Sequence, residues 1–237
     1  MPEHMEDYRH GRVPGSIAQH EQVAQHYGNP SLNLALEVTE RIDAAQFSWE
    51  QDFRDLHPSP YGHQLYANSI ARMLDAAYAA SPKAEKHTLP AKPVDPLSYF
   101  RGRFGQLGSA KLGKGFQLVP DWTPTVARET RPGYVHVPAL AATEPGAGFE
   151  FEFQGTGAGL MIGAGPDAGV IEFSVDDRPV KKLDTFTAWS QSLYLPWAVI
   201  LDDNLPAGPH RAKVRLTGEK HPQSVGTALY VFELLIN

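Results

Sequence analysis

Residues 149–153 read Phe149-Glu150-Phe151-Glu152-Phe153, ring and carboxylate in unbroken alternation. A period of two puts three rings on one face of a strand and both acids on the other. That pattern belongs to a sheet with one buried face and one wet face. The same period continues outward from this stretch. VIEFSV (170–175) and VKKLDTF (180–186) flank the turn Asp176-Asp177-Arg178-Pro179 as a hairpin. Downstream, His210, Ala212, Val214 and Leu216 alternate with Arg211, Lys213 and Arg215, and TALYVFELLI (227–236) closes the chain. From about residue 95 to 237 these strands predict an antiparallel β-sandwich of jelly-roll type. The glycine-rich run GTGAGLMIGAGPDAG (155–169) leads into a strand and not a helix. Its glycines are therefore expected to serve turns and bulges, not a phosphate.

Upstream of residue 81 the character changes. Residues 1–80 carry eleven acids, five arginines and no lysine, which accounts for the whole net charge of -6. GSIAQHEQVAQHYG (15–28) reads as a helix, with Ser16 and Gln19 as a capping box and Gly28 as a left-handed cap. Leu32, Leu34 and Leu36 alternate like a short strand, and EVTERIDAAQ (37–46) returns to a helical period. After the loop SWEQDFRDLHPSP comes a long helix over 62–80. Helix, strand and helix in this order predict part of an α/β layer fold. SPKAEKHTLPAKPVDP supplies a charged, Pro-rich linker, placed at 81–94.

Composition narrows the function. No Cys is present, which excludes disulfides, thiolate zinc sites and Cys nucleophiles. The acidic balance argues against a nucleic-acid partner, and no apolar run approaches the ~20 residues of a membrane span. The opening ten residues have neither the basic nor the apolar region of a signal peptide. The chemistry is expected in Phe53-Arg54-Asp55-Leu56-His57-Pro58-Ser59-Pro60-Tyr61-Gly62-His63. Here an acid and a histidine stand on a loop before a helix. A carboxylate that fixes one imidazole nitrogen leaves the other free to take a proton from a nucleophile.

Residues 15–28, taken with Asp55-Leu56-His57-Pro58-Ser59-Pro60-Tyr61-Gly62-His63-Gln64-Leu65-Tyr66-Ala67, resemble the C-terminal end of SGNH (GDSL-type) hydrolases. The resemblance covers roughly residues 1–80. It implies a partial flavodoxin-like α/β fold, serine esterase or acetylesterase activity, and catalytic roles for Asp55 and His57. The family spacing is Asp-x-x-His, whereas Arg54 stands three before His57 and Asp55 two before, with Asp52 as a fallback. The family's Gly-Asp-Ser block has no counterpart, nor do the Gly and Asn of its oxyanion hole. Gly15-Ser16 and Gly108-Ser109 are the only Gly-Ser pairs.

The expected function is therefore the C-terminal portion of an SGNH-type ester hydrolase, lacking its nucleophile block and inactive by itself. Its substrate would be an acyl ester, foremost an acetylated carbohydrate, with no cofactor and no metal. His57 and His63, with Asp52 or Asp55, form an incomplete metal set. His20 and His26 read as solvated. The β-sandwich, at 95–237, would be an accessory domain, and it resembles the extra β domain of some SGNH esterases in pattern. The rival reading is a non-catalytic carbohydrate-binding or adhesion module. In that reading Trp122, Trp189, Tyr194 and Trp197 stack on sugars and do not fill the core.

Overall fold

The computed structural model describes residues 2–80 and 86–237. Its contacts separate into two units, Met1–Pro96 and Leu97–Asn237. Residues 81–85, the first part of the expected linker, lie outside the described residues. The N-terminal unit comprises α1 (Pro2–Arg9), α2 (Gly15–Tyr27), α3 (Leu34–Asp43) and α4 (Pro60–Ala80), with one π-turn, Trp49–Phe53, before α4.

No strand occurs among the described residues of this unit, which overturns the α/β layer expectation and with it the flavodoxin-like fold. The error has a local cause. Asn33 caps α3 by accepting from the Leu36 N–H at 3.1 Å, so Leu34 and Leu36 begin a helix. Three leucines two apart are too few to distinguish the two periods. Ser16 is not a cap either, since α2 starts at Gly15 after Pro14 without a side-chain bond. Gly28 does adopt φ 65. Its N–H reaches Gln25 O and that of Asn29 reaches Ala24 O, the paired bonds of a Schellman end. Val38, Phe53 and Leu65 form the buried centre, and Ile42, Phe47, Trp49 and Tyr66 pack around it. Arg9 forks onto Asp43, and Glu37 accepts from Ser69 at 2.6 Å and Arg72 at 3.2 Å. These bonds tie α1 to α3 and α3 to α4.

The C-terminal unit carries the twelve strands found among the described residues. They are β1 (Arg103–Gly105), β2 (Lys111–Leu112), β3 (Gln117–Trp122), β4 (Glu129–Thr130), β5 (Val137–Ala142) and β6 (Gly148–Gly155). There follow β7 (Ala158–Ala164), β8 (Gly169–Val175), β9 (Lys181–Asp184), β10 (Leu193–Asp202), β11 (Gly208–Lys220) and β12 (Leu229–Ile236). One sheet runs β3-β5-β12-β7-β10-β4, with β1 also on β12. The other runs β2-β6-β11-β8-β9. β4 and β10 pair in parallel, a departure from the all-antiparallel expectation, and twelve strands exceed an eight-stranded jelly roll.

Both sheets contribute to one apolar core. Phe149, Phe151 and Phe153 meet Val214, Ala212 and His210 across β6 and β11, and from the other sheet come Leu160, Ile162, Leu229 and Val231. Neighbouring residues of the same strands face outward into a second core. Tyr230 and Phe232 of β12, with Ala139 and Ala141 of β5, pack there with Trp122 and Tyr194. Strands buried on both faces read as continuous apolar runs, which is why 227–236 shows no alternation. The glycine-rich run contains β7 itself. A Cβ on Gly165 would strike the Tyr194 ring at 2.1 Å and one on Gly159 would meet Val199 O at 2.4 Å, so these glycines serve close approach.

Candidate functional site

The loop that carries Asp55 and His57 is fixed from below. Ser48 caps the π-turn by accepting from Gln51 N–H, and Asp52 closes it by accepting from Ser48 N–H at 2.8 Å. Asp52 is thus committed to a local turn. Arg54 then adopts φ 77 and ψ −52 while Asp55 N–H reaches Phe53 O at 3.1 Å, which is a γ-turn. Phe53 O also accepts from Ser59 N–H at 3.0 Å, and Ser59 Oγ donates to Asp52 O. Pro60 opens α4, where its missing N–H is harmless. Phe53 is buried among Phe47, Trp49 and Tyr66, its ring 5.0 Å from Trp49 and 5.5 Å from Tyr66. A Cβ on Gly62 would lie 2.7 Å from Pro58 Cβ and 2.8 Å from the Phe53 ring, so only glycine lets α4 dock here.

Above this base Asp55 and His57 project outward. His57 Nδ1 stands 3.9 Å from Asp55 Oδ2, and the two side chains are 86% and 64% exposed. The separation is that of an ion pair, longer than a hydrogen bond. Asp55 Oδ1 accepts from the Leu56 N–H. The serines nearest this loop are engaged, Ser48 and Ser59 in capping and Ser69 on Glu37. Among the described residues no three His, Asp or Glu side chains gather as a metal site.

A second acid–histidine pair lies in the β unit, where no sequence spacing signals it. His210 Nδ1 meets Asp176 Oδ2 at 2.7 Å and Nε2 meets Pro206 O at 2.7 Å. Both partners are acceptors, so the geometry favours the protonated ring, in which both nitrogens donate. Asp176 raises the His210 pKa, and His210 with the Arg211 N–H lowers that of Asp176. Ser109 lines the same groove of about 980 Å³, but its hydroxyl donates to Gln106 O. Both ring nitrogens are occupied by Asp176 and Pro206 O and the Ser109 hydroxyl is turned to Gln106 O, so His210 is not placed as a general base for Ser109.

The four aromatics divide evenly. Trp122 and Tyr194 are core, whereas Trp189 is 52% and Trp197 39% exposed, with ring centroids 5.7 Å apart. No helix of the described residues is long and apolar enough to cross a membrane.

No family model and no curated protein matches the chain. Solved structures do. The crystal structure of a two-domain esterase (CEX) active on acetylated mannans matches at TM-score 0.68 and 18% identity, over 92% of this chain and 58% of that one. The same esterase co-crystallized with mannopentaose matches at TM-score 0.65 and 20% identity, over 92% and 57%. The likeness is one of fold. This chain spans less than two thirds of that esterase, and 92% is more than either unit supplies alone, so residues of both units match. A family two carbohydrate esterase from Cellvibrio japonicus reaches only TM-score 0.34 at 12% identity, over 57% of this chain and 33% of that one.

Proposed function

We propose that this chain is the C-terminal portion of an SGNH-type ester hydrolase that removes acetyl groups from a carbohydrate. Residues 1–80 would belong to its catalytic domain and 95–237 would form the accessory β domain. The observation that carries the reading is the loop from Asp52 to His63, which holds Asp55 and His57 outward on a base of buried aromatics. Two further observations support it. One is the likeness across both units to an esterase active on acetylated mannans. The other is the exposed stripe Ile70, Leu74 and Tyr78 along α4, an apolar face suited to further polypeptide of the same domain.

In this enzyme a Ser hydroxyl from outside the chain attacks the ester carbonyl. His57 accepts the hydroxyl proton through Nε2 and then delivers it to the departing sugar oxygen. Asp55 holds Nδ1–H and stabilises the imidazolium, closing the 3.9 Å gap once substrate and nucleophile cover the loop. Water then releases acetate by the reverse sequence.

The test is to extend the chain by the residues its gene encodes upstream and assay p-nitrophenyl acetate. The chain by itself is expected to give background rates and the extended protein, carrying a Gly-Asp-Ser block, genuine turnover. Turnover by the chain alone, abolished by Ser16→Ala or Ser109→Ala, would refute the missing nucleophile. The exposed Trp189–Trp197 pair favours a second reading, a non-catalytic carbohydrate-binding module.

A further inference from the structure

Trp189 stands in the segment between β9 and β10, and Trp197 lies on β10 itself. From Thr185 to Trp197 the chain has no charged residue, yet it holds Phe186, Trp189, Tyr194 and Trp197 among hydroxyl and amide side chains. The segment is tightly held. Ser190 is fully buried and its Oγ accepts from Thr187 N–H at 2.8 Å, Trp189 N–H reaches Thr187 Oγ1, and Ser192 Oγ donates to Trp189 O. Arg128 Nε donates to Gln191 O at 3.2 Å, and β4 pairs with the start of β10. Behind them, buried Asp167 accepts from Thr125, Tyr194 and Tyr230 at 2.6–2.9 Å. The loop is thus rigid, and its rigidity holds an indole out in solvent when folding would favour burying it.

We propose that Trp189 and Trp197 form a stacking platform for a neutral glycan of two or more pyranose rings. The inference rests on the carbohydrate reading above and assigns the site of binding. The C–H faces of a pyranose ring are apolar and pack on indole, while its hydroxyls remain in water. The two indole planes are inclined at 39°, so they cannot lie flat on one ring but can each meet one of two successive, mutually rotated rings. The segment carries no charge of its own, and the cation against it, Arg128, is engaged by Gln191 O and Ala127 O, which favours a neutral glycan over a uronate or a phosphate backbone. A protein partner fits poorly, because two half-exposed indoles present roughly 200 Å² against ~800 Å² per partner in a stable interface.

The experiment uses the full chain, titrated with mannopentaose, cellohexaose and mannose while tryptophan fluorescence and heat of binding are recorded. At least one of the oligosaccharides is expected to bind, and mannose much more weakly. Trp189→Ala and Trp197→Ala should each raise the Kd tenfold or more with the thermal midpoint unchanged, and Trp189→Tyr should keep most of the affinity. Equal affinity in the alanine variants would overturn the platform and leave the carbohydrate reading standing. No binding of any oligosaccharide by the unaltered chain would overturn the platform, and acetate release by the extended protein then decides the carbohydrate reading. Esterase activity of the extended protein is read separately, so its failure does not touch this result.

Discussion

Arg54 precedes Asp55 and His57 with φ 77 and ψ −52, a conformation that side chains avoid and that costs of order 1–3 kcal/mol. Glycine would lift that strain but adds ~0.5–1 kcal/mol of backbone entropy to the unfolded chain. Relief is the larger effect, so in the extended protein Arg54→Gly should stabilise the N-terminal unit by about 1 kcal/mol, read by denaturant unfolding. Gly62→Ala should do the opposite. Its Cβ meets Pro58 and Phe53 below 3 Å on the packed side of α4, and a loss of about 1–3 kcal/mol is expected. In the β unit, the His210–Asp176 pair sets a pH dependence. His210 titrates higher folded than its ordinary 6.5, so its contribution is complete below 6.5 and fades as pH rises through the raised value. Asp176 titrates below its ordinary 3.8, so its contribution is complete above 3.8 and fades as pH falls through the lowered value. Stability measured from pH 4 to 9 should therefore fall above about 6.5, and His210→Gln should remove that component of the slope.

At the scale of elements, β6 shows how one strand divides its work. Phe151→Ala opens a cavity between the sheets and should destabilise the β unit by about 3–5 kcal/mol. Glu152, paired with Arg211 at 2.9 Å on the solvent face, should cost under ~1 kcal/mol on change to Ala. Thermal unfolding of the two variants separates the faces. β6, β8, β9 and β11 were legible because each has one wet face, which stamps a period of two on the sequence. β7 and most of β12 are themselves buried on both faces, where the pattern merges into a glycine-rich or apolar run. Most of α3 is legible as the helical period of 37–46, but its first turn reads as strand because the leucines of 32–36 fit either period, and only Asn33 as a cap decides. The loop of Asp55 and His57 was legible from composition. Its π-turn and γ-turn were not, because they depend on Phe53 docking against Gly62, a contact between residues nine apart.

For the whole molecule, the cores are disjoint: Val38, Phe53 and Leu65 in one unit, and the two clusters of the β unit in the other. Residues 97–237 expressed alone should unfold in one cooperative transition, since both sheets already share one large buried core and a second cluster packs on the other side of β5 and β12. Residues 1–80 should not, with a buried apolar cluster of Val38, Phe53 and Leu65 set against an exposed apolar stripe on α4. A cooperative transition from 1–80 and none from 97–237 would reverse this account. The claim that matters most is that His57 is the general base of an ester hydrolase, and acetate release from acetylated mannan by the extended protein tests it most directly. His57→Ala is expected to reduce the rate about 10³-fold or more, with Asp55→Asn losing less and Asp52→Asn little. Full activity with His57→Ala would contradict the assignment.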